Sequence, residues 1–142
     1  MPCGHGTPWF DWCLGIMSGL ITKYSDTEIR GLLYQARKGD ATALATLERR
    51  ARAGHVNAQR YLGVYWFRTK EPERAVACWC AAFPHGCRWS RYYYGKALYL
   101  GRGIAKNRFW ALRQWRLLSG HPSSVGRLAR HALYLYATEI TD

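Results

Sequence analysis

Gly54-His55-Val56-Asn57-Ala58-Gln59-Arg60-Tyr61-Leu62-Gly63-Val64-Tyr65-Trp66 is the stretch that decides the fold. Ala58, Leu62 and Trp66 stand four residues apart, which lays one apolar stripe along a helix. Gly63 falls inside that helix, where glycine costs about 1 kcal/mol relative to alanine. A glycine in such a place points to the close approach of a neighbouring helix. A second helix follows over residues 74–83, with Pro72 in its first turn, where a missing N–H does no harm.

The same frame repeats in both directions. Gly31, Gly63 and Gly95 are 32 residues apart, and so are Gly54 and Gly86. A fixed period of this size marks stacked helical hairpins, each burying its apolar face against its neighbours. Ala111 and Trp115 repeat the four-residue spacing of Ala75 and Trp79, which predicts that both indoles occupy equivalent core positions. Gly101-Arg102-Gly103-Ile104 reads as a hairpin loop. Gly120-His121 echoes Gly54-His55, and Leu128-Ala129 then stand where Leu62-Gly63 stood. Towards the N-terminus the frame reaches Asp26, through Gly31-Leu32-Leu33-Tyr34 and a helix restart at Lys38-Gly39-Asp40 with Asp40 as N-cap.

Taken together, the Gly-His-x-x-Ala-Gln-x-x-Leu-Gly-x-x-Trp pattern, the Gly101–Gly103 loop and the Ala-rich second helices resemble Sel-one-like repeats, short relatives of tetratricopeptide repeats. The resemblance covers residues 26–142. It implies an all-α domain, a short right-handed α-solenoid of about three and a half antiparallel hairpins. Two departures stand out: Arg68-Thr69-Lys70-Glu71 replaces the Gly-x-Gly loop in one unit, and the Trp positions read Cys78-Trp79 and Gln114-Trp115. The family implies protein–protein interaction and scaffolding and supplies no shared catalytic residue.

The chain of 142 residues suffices for one domain. Residues 1–25 read as an apolar N-terminal arm or short helix. Its stretch from Trp9 to Ile21 has no basic residue before it, unlike a secretory signal, and no apolar run approaches the ~20 residues of a membrane span. Met17 offers an alternative start. Five cysteines, an odd number, favour free thiols in a reducing, cytoplasmic setting over a disulfide framework. Cys78, Cys80, His85 and Cys87 suggest zinc, but residues two apart on a helix point in nearly opposite directions. Buried thiols in a helix seam are the expectation, with no metal or cofactor. His55 and His121 directly follow turn glycines, and His85 precedes one, so turn structure accounts for them better than catalysis. No catalytic residue is expected.

Charge is the functional clue. The net charge is +12, and between Glu73 and Glu139 no acidic residue occurs against eleven Arg and Lys. A solvated face laced with salt bridges needs both signs, so this half projects a positive field towards an anionic partner. Arginine outnumbers lysine sixteen to five, which suits bidentate recognition and stacking on rings. In the first helix of each unit the positions not used for packing are 57/61/64, 89/93/96 and 123/127/130. Their spacing keeps each trio on one face. The predicted groove therefore presents Tyr61, Trp89, Tyr93, Lys96, Arg127 and Arg130 to a partner. An acidic protein segment is the expected occupant, with nucleic acid, cations on phosphates and rings on bases, as the alternative.

Overall fold

The repeat spacing translates into helices whose ends are set by local chemistry. The computed structural model describes residues 26–136, which form seven α-helices and no strand among them. These are α1 (Asp26–Arg37), α2 (Ala41–Arg52), α3 (Val56–Arg68), α4 (Pro72–Ala82), α5 (Arg88–Leu100), α6 (Arg108–Ser119) and α7 (Ser124–Tyr136), with a 3₁₀ turn at Phe83–His85. The N-terminal arm expected over residues 1–25 lies outside the described residues. Asp40 caps α2 by accepting from the Thr42 and Ala43 amides at 2.9 and 3.1 Å. His55 caps α3 through Nδ1, which accepts from the Ala58 amide, so a turn role accounts for this histidine. Asn107 caps α6 in the same manner through its side-chain oxygen. Each cap satisfies an amide that the first helical turn leaves without a partner.

Consecutive helices pack on one another throughout, and α1 with α3 and α5 with α7 also touch. Trp79 and Trp115 are 2% and 1% exposed, the two largest of the fully buried side chains among the described residues. Each indole lies across the glycine of its own hairpin. A Cβ on Gly63 would overlap the Trp79 ring, and one on Gly95 would stand 2.7 Å from Trp115 Nε1. Trp79 then stacks on Tyr93 of the next hairpin at 5.2 Å between centroids, and Trp115 stacks on Tyr136 of α7 at 5.7 Å. The two sites differ at one atom. Trp115 Nε1 donates to the Tyr92 carbonyl at 3.2 Å, whereas buried Trp79 Nε1 has no hydrogen-bond partner among the described residues.

Two parts of the repeat reading meet a different outcome. Gly31 is exposed, and nothing lies within 4 Å of where its Cβ would be. The residue sixteen positions on, where Gly63 has Trp79, is Leu47, too short to reach across a helix. Leu128 is 39% exposed although it holds the place of fully buried Leu62. The buried side of α7 runs instead through Val125, Gly126, Ala129 and Ala132. The loops also diverge. Gly101 and Gly103 adopt φ of +70° and +74°, and in the unit without that motif Lys70 takes φ 64°. A lysine there bears strain that a glycine would not.

The three frame glycines should separate cleanly on substitution. Gly63→Ala and Gly95→Ala should each destabilise by about 1–3 kcal/mol through overpacking. Gly31→Ala should stabilise by about 0.5–1 kcal/mol, because its site is open and helical. Denaturant midpoints of the three variants check this, and equal effects would remove the indole–glycine contact as the organising feature.

Candidate interaction groove

The non-packing positions of α3 and α5, with Ser123 just before α7, line three adjoining cavities. The first, about 390 Å³, is lined by Tyr61 and Val64 of α3 and by Trp89 and Tyr93 of α5, together with Asp26, Arg30 and Arg60. A second, about 290 Å³, shares Arg60 and Trp89 with it and adds Asn57, Arg88 and Ser123. The third, about 270 Å³, shares Val64 and Tyr93 and adds Phe67, Arg68, Trp79 and Lys96. Positions 57, 89 and 123 thus meet in one cavity, and 64, 93 and 96 meet in another, as the helix spacing predicts.

The floor of this groove is aromatic. Tyr93 stacks on buried Trp79 on one side and on half-buried Trp89 on the other, at 5.2 and 6.1 Å between centroids. Such pairs contribute about 0.5–1.5 kcal/mol each beyond area burial. The rims are cationic, with Arg60, Arg68, Arg88 and Lys96 around the rings. Of the expected site residues, Tyr61, Trp89, Tyr93 and Lys96 come together here. Arg127 and Arg130 line none of the three cavities. Arg130 Nη1 donates to the Ser119 and His121 carbonyls, so its guanidinium covers the C-terminal end of α6. Its proximity in the helix register gave no hint of that role.

The first repeat contributes residues that the periodic frame does not point to. The Asp26 carboxylate accepts from Arg60 Nη2 at 3.2 Å and from the Tyr61 hydroxyl at 3.1 Å. Ile29, which the frame places at a groove position, is fully buried instead, turning Asp26 and Arg30 towards the cavity. The sequence signal was faint: an acidic residue opening a helix, 34 positions before an Arg-Tyr pair.

Many guanidiniums of the acid-free half rest on rings or neutral acceptors. Arg91 bonds Gln114 at 2.8 Å and covers Phe83, while Arg108 lies over Tyr99 and Arg113 over Trp110. Arg74, at the boundary, covers Trp66 at 3.5 Å and pairs with Glu48 and Glu71. Burial lowers the pKa of Arg91 from its ordinary value.

The described residues contain no group of three or more His, Cys, Asp or Glu able to hold a metal ion, and no helix among them is long and apolar enough to cross a membrane. Cys78 and Cys87 are buried and in no disulfide, as expected for a helix seam. Cys80 corrects that reading, because it is disulfide-bonded. Comparison with protein-family models, with characterised proteins and with solved structures returns no match for this chain.

Burial raises the phenols of Tyr92, Tyr93 and Tyr94 above the ordinary value of 10.0. Tyr61 is raised as well, first by burial, against the opposing charge of Arg60, with the Asp26 hydrogen bond adding to the rise. A folded-state pKa above the unfolded one means that the native state holds the proton more tightly. The stabilisation is complete below about pH 10 and is lost as pH climbs through the folded values. Thermal unfolding midpoints should therefore fall steeply above pH 10, and Tyr93→Phe should flatten that decline. A midpoint that stays level as the pH rises past the ordinary phenol range would contradict the burial of these groups.

Proposed function

We propose that this chain is a non-enzymatic protein-interaction module, an adaptor, regulator or inhibitor, whose groove grips an acidic segment of another protein. We read its stacked hairpins as a short right-handed α-solenoid of Sel-one-like repeats covering residues 26–142. The observation that carries the proposal is the groove itself. First-helix positions of successive units form one continuous surface, aromatic at its floor through Trp89 and Tyr93 and cationic at its rims. Trp, Tyr and Arg are the residues that anchor protein interfaces. The acid-free C-terminal half supplies a positive field that steers an anionic partner towards them. A cytoplasmic location rests on the odd number of cysteines; the disulfide at Cys80 weighs on the other side, since such bonds persist in oxidising surroundings.

A protein contact and a nucleic-acid contact behave differently in salt. Phosphate-dominated binding weakens linearly in log salt with little regard for individual rings. Anchoring on Trp89 should survive moderate salt, and Trp89→Ala should weaken the partner by about 30-fold, equivalent to about 2 kcal/mol. The measurement pairs a co-purifying protein, recovered after nuclease treatment, with generic duplex and single-stranded DNA across a salt series. Tight DNA binding at physiological salt, with no protein recovered, would replace the adaptor reading by the nucleic-acid one.

A further inference from the structure

Asp26 is the one acidic side chain among the described residues that line the largest of the three cavities, and it meets a pair of donors better held than itself. The Arg60 side chain is 16% exposed, and its guanidinium lies over the Tyr61 ring at 4.4 Å. Its Nε is shut off from solvent and has no hydrogen-bond partner among the described residues. Arg60 Nη2 and the Tyr61 hydroxyl both converge on Asp26 Oδ1, at 3.2 and 3.1 Å, and Oδ2 stands 3.3 Å from the same hydroxyl. Arg30 is at the margin, 4.0 Å away. Contacts between Arg and carboxylate that are well made run to 2.7–2.9 Å, roughly, and engage two donors in parallel. Here one arm of the fork is used and the contact is long. Asp26 itself is 45% exposed and stands at the first turn of α1, so it reaches the site from the side.

We propose that Arg60 and Tyr61 form a carboxylate subsite for an Asp or Glu side chain of the groove's peptide ligand, with Asp26 as the chain's own occupant. This rests on the groove reading above. An arriving carboxylate takes the Arg60–Tyr61 donors and keeps the Arg60 cation paired, while Asp26, half-exposed at its own end, swings to solvent at little cost. Trp89 and Tyr93, which line the same cavity, take the apolar part of the neighbouring ligand residue. The ligand is therefore an acidic segment with an aromatic or aliphatic residue beside the acid. Displacement also makes Asp26 a brake on affinity, since ligand and Asp26 compete for one pair of donors.

The test titrates the full chain with a short peptide of alternating glutamate and phenylalanine, using wild type, Asp26→Asn, Arg60→Met, Trp89→Ala and the Asp26→Asn/Arg60→Met double variant. Asp26→Asn should bind several-fold tighter than wild type. Arg60→Met should weaken binding, and more so in the Asp26→Asn background, by that same several-fold. Tyr61→Phe in the Asp26→Asn background should weaken binding with helix content unchanged, which guards against a variant that merely unfolds. If Asp26→Asn binds equally or more weakly while Trp89→Ala still abolishes binding, the subsite is overturned and Asp26 is a structural tie; the groove reading then stands. Failure of every variant to bind, or indifference to Trp89→Ala, overturns the groove and the subsite together. A phosphorylated single-stranded oligonucleotide that gains more from Asp26→Asn than the peptide does would assign the donors to phosphate and overturn the carboxylate proposal.

Discussion

An indole laid across a glycine fixes the distance and angle between the two helices of a hairpin, and everything else in this domain is arranged around that contact. It occurs between Gly63 and Trp79 and again between Gly95 and Trp115. A side chain at either glycine would push the ring outwards, so the pair acts as a knob and its hole, with interior packing too dense to absorb the change. Because the ring is larger than the gap between two helices, its far side must meet the next hairpin. Trp79 does so on Tyr93 and Trp115 does so on Tyr136. Each hairpin thereby hands its neighbour a surface to pack on. Where the residue is Leu47 instead, the glycine stands open and the unit is held by Ile29, Leu47 and Ala51 at shorter range.

Charge without counter-charge requires another way to seat guanidinium groups. Arg91, Arg108 and Arg113 lie over Phe83, Tyr99 and Trp110, so that rings take up the cations where carboxylates are lacking. The aromatic residues thus do two things: they fill the core, and they hold cations in place of carboxylates. The field of these cations is not cancelled by anions in the same half, which is why a positive surface persists after folding.

The glycine frame made the indole contacts legible, since only a missing side chain at Gly63 and Gly95 is compatible with a helix interior at that spacing. The helix register likewise brought Tyr61, Trp89, Tyr93 and Lys96 together, because three- and four-residue steps preserve a face whatever the curvature. Other features depend on partners that periodicity does not encode. Gly31 looked equivalent to Gly63, but the equivalence lies in the residue opposite it. Arg130 shares a face with Arg127, yet two free carbonyls at the end of α6 claim it. Asp26 enters the groove through a contact across 34 residues, made between side chains of different repeats.

The aromatic stack from Trp79 through Tyr93 to Trp89 joins the interior of the domain to the floor of its groove. Tyr93 belongs to both, so it cannot be exchanged to suit a different ligand without disturbing the seat of Trp79. Lys96, Asn57 and the outward face of Trp89 carry no such obligation. For a groove that binds as proposed, change in specificity is channelled: the middle of the floor is constrained by the core, and the edges are open to substitution.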